Sequence, residues 1–328
     1  MTTAATARVA IVIPVFNGER FLSRTFDSAL AQTFDAWRAV VVDDASTDGS
    51  LKLVQGYAER HPGRFTVIGL QANAGVVRAR DRAIAAADGA ELIVLLDHDD
   101  WLREDYLERM VGLYDAEQAR GRHIGIVACD AVLHGAGGRD AGTWGQRTGW
   151  RDVIDLDGLI HQNLIFARAL FRRDVYVQVG GFCADVAGSD DHDLWLRIVE
   201  AGWEVAVTRE PLAHYRVHTG GLSRDRVRML DNKLAVYERA LARGALSASR
   251  RRAVRRRMRH YRAVRGRWVA QREWSQGRRL VAAAVGMRAA PLLVLAALQD
   301  PAWLLARRER RLPDPSATSV SAARTDRG

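Results

Sequence analysis

Glu91-Leu92-Ile93-Val94-Leu95-Leu96-Asp97-His98-Asp99-Asp100-Trp101 joins an unbroken apolar run to an abrupt cluster of carboxylates. The run from Leu92 to Leu96 is too short to cross a membrane and reads as a strand buried on both faces, as in a parallel sheet. Ligands of open α/β sheets bind in the crevice at the carboxyl ends of the strands, so this strand delivers Asp97, Asp99 and Asp100 to a site. Three carboxylates in four positions repel one another once desolvated. They need a compensating cation, most simply a hard divalent ion such as Mg²⁺ or Mn²⁺. The plainer alternative is an Asp-rich turn in which Asp99 or Asp100 caps a helix starting at Leu102.

Upstream the same design recurs. Val9-Ala10-Ile11-Val12-Ile13-Pro14 is a first buried strand, and Ala39-Val40-Val41-Val42 a second that ends in Asp43-Asp44-Ala45-Ser46-Thr47-Asp48. Between them, Phe21, Leu22, Phe26, Ala29 and Leu30 recur at helical spacing from Glu19 to Gln32. Leu51 to Arg60 reads as a helix that Ser46 or Thr47 can cap. Phe65 to Leu70 is a third strand, and Asn73-Ala74-Gly75 opens a helix from Val77 to Ala87. Arg78 and Arg80 lie near the start of that helix, where they oppose its dipole; a phosphate bound nearby would explain them. Strand and helix alternate from Val9 to Leu113, which predicts an α/β fold with a doubly wound, mostly parallel sheet.

Downstream the rhythm loosens. Ile124 to Cys129 is a further strand, and the glycine-rich stretch from His134 to Gly149 reads as an irregular loop over the site. Ser189-Asp190-Asp191-His192-Asp193-Leu194-Trp195-Leu196-Arg197-Ile198 reads as a helix with Leu194, Trp195 and Ile198 on one face and acids at its N-terminus. Glu204 to Val207 is a strand, followed by Pro211 to His218. Cys129 and Cys183 fit no disulfide framework and read as small buried residues, as in a reducing compartment. Met1 to Ala7 shows no leader pattern, so the expected location is cytoplasmic.

With 328 residues, 48% hydrophobic and 27% charged, the chain can bury a full core, yet its net charge is +10. The excess lies beyond Arg243, in runs such as Arg250-Arg251-Arg252 and Arg255-Arg256-Arg257. Met229 to about Arg279 looks helical with arginine on several faces. It reads either as a basic helix lying on an anionic membrane surface or as a solvated helix packed on the catalytic domain. Val281 to Leu305 is apolar but interrupted by Arg288, Pro291, Gln299 and Asp300, so no membrane span is expected. Beyond Arg310 the composition reads as disorder.

Five motifs together resemble the inverting glycosyltransferases of family 2, with the A-type nucleotide-sugar-binding fold. They are Val12-Ile13-Pro14-Val15-Phe16-Asn17, Val42-Asp43-Asp44-Ala45-Ser46-Thr47-Asp48, Asn73-Ala74-Gly75 with Arg80, Leu96-Asp97-His98-Asp99-Asp100, and Ser189-Asp190-Asp191-His192-Asp193-Leu194-Trp195-Leu196-Arg197. The resemblance covers roughly Val9 to Ser223 and implies a catalytic domain over 1–225, with a nucleotide-sugar half at about 8–115 and an acceptor half at about 116–225. A basic helical extension (226–310) and a disordered tail (311–328) would follow.

The resemblance implies a nucleoside-diphosphate sugar as donor and a glycan or lipid-linked saccharide as acceptor, in cell-surface polysaccharide synthesis. Pro14, Val15 and Phe16 would line the base pocket, Asp44 would accept a hydrogen bond from the base, and Asp43 would support it. Phe16 stands where the family often has tyrosine; stacking survives but a hydroxyl contact does not. Arg80 would lie near the diphosphate or base, and Asp97 and Asp99 near the donor. Asp99, Asp100 and His218 would surround the metal, a divalent Mn²⁺ or Mg²⁺, with the division among the acids open. Asp190 and Trp195 would meet the acceptor, although Trp195 reads equally as core packing. Asp191 matches the second acid of the family's Glu-Asp pair and would be the general base. A retaining route would need a second nucleophile, and none is evident.

Two rival classes are a sugar-phosphate nucleotidyltransferase and a nucleic-acid-binding protein acting through its arginines. The first favours a basic, glycine-rich loop after the opening strand, which Phe16-Asn17-Gly18-Glu19 is not. The second would leave the acid clusters without a task, and no nucleic acid is expected as a partner.

Overall fold

Val9–Val15 (β1) is buried at every position and sits between Trp37–Asp43 (β2) and Leu92–Leu95 (β4), with Phe65–Gly69 (β3) outside β2. The four pair in parallel, in the order β3-β2-β1-β4. In this computed structural model, which describes residues 7–135, 138–217 and 225–299 (backbone alone from 292), they form one side of a nine-stranded sheet. Glu19–Leu30 (α1), Ser50–Arg60 (α2) and Val76–Ala85 (α3) make the crossovers. Covering both faces explains why these strands carry no polar alternation.

The order continues from β4 through Leu170–Arg172 (β8), Ile124–His134 (β6) and Glu204–Arg216 (β9) to Trp101–Leu102 (β5). β8 is antiparallel to both neighbours, and β9 runs parallel to β6. Two apolar layers flank the sheet. One gathers β1 and β2 side chains with Leu22, Phe26 and Val54 of α1 and α2 and Leu107 and Met110 of Tyr106–Ala119 (α4). The other gathers Ala79 and Ala83 of α3 with the far side of the chain.

Several expected boundaries move. The stretch from His134 to Gly149, expected to be a loop, carries regular elements among its described residues: β6 reaches His134, and Asp140–Thr143 (β7) pairs back on it. Trp144–Thr148 (α5) follows, where Thr143 and Gln146 form a reciprocal capping box. The strand expected from Glu204 to Val207 continues through Pro211 to Arg216 as one strand, β9, whose register with β6 slips beside Pro211, an irregularity of the kind that admits proline. Ser46 and Thr47 do not cap α2, which starts after Gly49 with no side-chain cap. No helix starts at Leu102; α4 starts at Tyr106, so Asp99 and Asp100 cap nothing.

Leu156–His161 (α6), Arg173–Gln178 (α7) and Asp190–Glu200 (α8) complete the sheet-side layer. The C-terminal region forms Arg226–Ala242 (α9), Ala248–Ser275 (α10) and Arg279–Gln299 (α11) rather than one long helix. Leu234, Val236 and Tyr237 of α9 and Val254, Met258 and Tyr261 of α10 share one apolar cluster with Phe171 and Trp195. Asp193 of α8, with no exposed surface, receives Arg197 at 2.9 Å and Arg239 and Arg243 of the α9 region at 3.3 and 3.4 Å. Among the described residues, no helix is long and apolar enough to cross a membrane.

Candidate active site

The carboxyl ends of β1, β2 and β4 converge as the acidic motifs require. Beyond β1, Phe16 stands 44% exposed at the rim, while Pro14 and Val15 are buried behind it. Asn17 adopts a positive φ of 51°, a conformation asparagine tolerates, and its side-chain oxygen accepts the Thr47 backbone N–H at 2.8 Å. Gly18 is required by contact: a Cβ there would fall 2.3 Å from Cδ2 of His98. The β1 and β4 loops therefore touch.

Asp43 and Asp44 at the end of β2 are both buried. Asp44 accepts the backbone N–H groups of Ala74 at 2.6 Å and Gly75 at 2.8 Å, one on each oxygen, and so holds the turn that starts α3. Asp43 accepts the Ser46 N–H at 3.0 Å through Oδ2, while its Oδ1 is buried without a partner.

The cluster after β4 finds its cations inside the protein. Arg80 of α3 donates to Asp97 at 2.7 Å and to Asp190 at 2.6 Å. Arg168, which precedes β8, donates to Asp97 through Nη2 and to Asp100 from Nε at 2.8 Å and Nη2 at 2.6 Å. Burial would raise Asp97, but Arg168 and Arg80 outweigh it and hold this carboxyl well below the usual range. Asp100 has no exposed surface; burial pushes it up to about 7 against the pull of Arg168, with Asp99 and Asp97 adding to the rise. Its other oxygen accepts the Arg216 N–H at 3.0 Å. Arg80, expected near the diphosphate or base, thus bridges two carboxylates.

One carboxylate oxygen from each of Asp97, Asp99 and Asp100 lies within 4.8 Å of the others, close enough to share a divalent ion. An all-oxygen set suits Mg²⁺ or Mn²⁺. The three are unequal, however. Asp97 and Asp100 are ion-paired to arginine, and Asp100 is sealed from solvent. Asp99 keeps partial exposure. His218 lies outside the described residues.

Asp190 and Asp191 open α8, where the helix dipole favours them. Asp190 is buried against Arg80. Asp191 retains surface, accepts a hydrogen bond from Asn163 Nδ2 at 3.0 Å and the His192 N–H at 2.7 Å. Burial and then the neighbouring Asp190 charge push it up to about 6, while the His192 N–H, Arg80 and Asn163 pull it down. Trp195 is 0% exposed and packs edge-on against Phe171 at 5.5 Å, so its contribution is core packing rather than an acceptor surface.

Arg168 and Asn163 escaped the sequence reading. The available signal was one arginine inside the otherwise apolar run from Leu164 to Leu170. A charge in a segment that must be buried needs a buried partner, and the unclaimed acids were its candidates.

A parallel sheet whose strands end in acid clusters, extended by a mixed half, has the architecture of a nucleotide-sugar glycosyltransferase with the A-type fold. The sequence profile of Glycosyl transferase family 2 matches residues 10–180, just over half of the chain, and the chain belongs to that family. It is 31% identical over 270 residues to the succinoglycan biosynthesis protein ExoO of Rhizobium meliloti, covering 78% of this chain and 74% of that one. It superposes on the Pyrobaculum calidifontis mannosyltransferase PcManGT in complex with GDP-Man and Mn²⁺ with a TM-score of 0.61 and 21% identity, over 92% of this chain and 82% of that one. Staphylococcus aureus TarS 1–349 in complex with UDP-GlcNAc gives a TM-score of 0.59 at 17% identity, over 82% and 73% of the two chains. Membership of this family sets aside the nucleotidyltransferase class and a purely non-enzymatic role.

Proposed function

We propose that the enzyme transfers a sugar, with inversion, from a nucleoside diphosphate to a hydroxyl of a glycan or lipid-linked saccharide during polysaccharide assembly. The observation that carries this reading is the contrast between two acids: Asp97 is locked ionised between arginines, whereas Asp191 keeps surface, a raised pKa and one positioning amide. The assembly role draws on the succinoglycan relative, and the donor class on neighbours holding UDP-GlcNAc or GDP-Man.

In this reading Phe16 stacks on the base, with Pro14, Val15, Asp43 and Asp44 forming the wall behind it. Asp97 faces the donor as a fixed negative charge. Asp99 would hold a divalent ion, which when bound would offset charge on the diphosphate oxygens. Asp191 takes the proton of the attacking hydroxyl, and Asn163 fixes the carboxylate for that transfer. Burial and the neighbouring Asp190 charge raise the base's pKa and thereby its proton affinity, while Arg80 fixes Asp190 in place and tempers the rise.

A thermal-shift screen of nucleoside diphosphates with and without Mn²⁺ tests this. Stabilisation by one nucleotide only with metal is the expected result, and indifference to every nucleotide refutes the reading.

A further inference from the structure

The elbow between α10 and α11 exposes more apolar surface than a solvated basic hairpin should. Trp274 at the end of α10 is 61% exposed, and Leu280 and Met287 on α11 are 88% and 70% exposed. Ala283, Ala284 and Pro291 are also exposed, so positions 280, 283, 284, 287 and 291 make one continuous apolar face at helical spacing. The opposite face is already used. Ala282 and Ala289 are buried, and a Cβ on Gly266 would meet Ala289 at 2.7 Å, which marks a close crossing of α10 and α11.

Charge surrounds this face. The only acid from residue 248 to 299 is Glu273, and it is already bonded to Arg278. Arg272, Arg278, Arg279 and Arg288 are exposed around the elbow, and Arg279 lies 5.6 Å over the Trp274 ring. Further back on α10, Arg252, Arg255, Arg256 and Arg267 are exposed and show no carboxylate partner among the described residues.

We infer that this elbow docks the enzyme on an anionic lipid bilayer. Trp274, Leu280 and Met287 would enter the headgroup boundary, while the arginines bind lipid phosphates and α11 lies in the plane of the surface. Arg288 and Pro291 interrupt the apolar run of this helix and suit a lying geometry better than a span. A second copy of the chain is a poor occupant, because pairing two elbows would bring like charges together. A nucleic acid would use the arginines but leave the apolar face unserved. The inference rests on the elbow alone and is independent of the donor-site reading, so the nucleotide screen and the experiment below can fail separately.

The test is co-sedimentation of the full chain with vesicles of phosphatidylcholine alone or mixed with phosphatidylglycerol. Binding is expected only with the mixed vesicles and should weaken with salt. Arg272→Gln with Arg279→Gln should weaken it about thirtyfold, from about fivefold per arginine near a charged surface. Leu280→Ser with Met287→Ser should weaken it roughly tenfold or more, with an unchanged melting curve. Undiminished binding by the serine variant, equal binding to neutral vesicles, or no binding at all overturns the inference. So does a dimer in light scattering that the serine variant breaks, or tighter binding to polyuridylate than to the mixed vesicles at the same salt.

Discussion

Arg80 and Arg168 grip opposite oxygens of one carboxylate, Asp97. Arg80 continues to Asp190 and Arg168 to Asp100, so a buried chain of alternating charges links β4 to α8 and the segment before β8. Much of the repulsion in the acid cluster is therefore neutralised within the fold, before any ligand arrives. A buried network of this kind is costly to break, because each deletion strands a charge.

Replacing Arg168 by methionine should cost about 3–5 kcal/mol of stability by leaving Asp97 and Asp100 without a buried counter-charge. Arg168→Lys should recover only part of that, since one ammonium cannot fork between two carboxylates as a guanidinium does. Urea unfolding followed by circular dichroism reads both variants.

The transfer rate at saturating donor should fall as pH drops through about 6, because Asp191 must be ionised to accept a proton and its pKa lies there. Asn163→Ala removes a hydrogen bond that favours the ionised form, so the acidic limb should move to higher pH. Asp191→Asn should lower kcat about 10²- to 10⁴-fold with nucleotide affinity retained. Loss of nucleotide binding in that variant would reassign the base.

Asp99→Asn and Asp100→Asn should separate cleanly. The first should abolish the Mn²⁺-dependent part of nucleotide stabilisation and leave the melting temperature of the unliganded protein near that of the parent. The second should lower that melting temperature, because it breaks the pairing with Arg168. Calorimetric titration with Mn²⁺ and the nucleotide distinguishes them, and the reverse pattern would exchange their roles.

Phe16→Ala should weaken nucleotide binding by about 1–2 kcal/mol, the range for losing an aromatic platform under a base, with stability unchanged because the ring is exposed. Phe16→Tyr should bind at least as well as the parent. Fluorescence titration with a labelled nucleotide suffices for both.

The strands were legible because β1, β2 and β4 are buried on both faces, which leaves unbroken apolar runs in the sequence. Their acidic ends were legible for the same reason: nothing else in a buried strand is charged. What could not be read was the answer to the charge. Arg168 reaches Asp97 and Asp100 from about seventy residues away, and only tertiary packing brings them together. Ser46 and Thr47 misled as helix caps because their neighbour Asn17 bonds both residues instead. The stretch after His134 misled through its glycines, whose turns β7 and α5 use between regular elements.

Helix α8 carries Asp191, which keeps some exposed surface, and, two residues later, Asp193 in a cage of three arginines supplied partly by the α9 region. The stretch matched by the family profile ends at residue 180, before either acid. A fragment cut at that boundary would lose both acids, and one cut between α8 and Arg239 would leave Asp193 short of its counter-ions and uncover Phe171 and Trp195. The stretch that the profile matches is thus smaller than the packed unit, and here the helices added last brace the helix that carries Asp191.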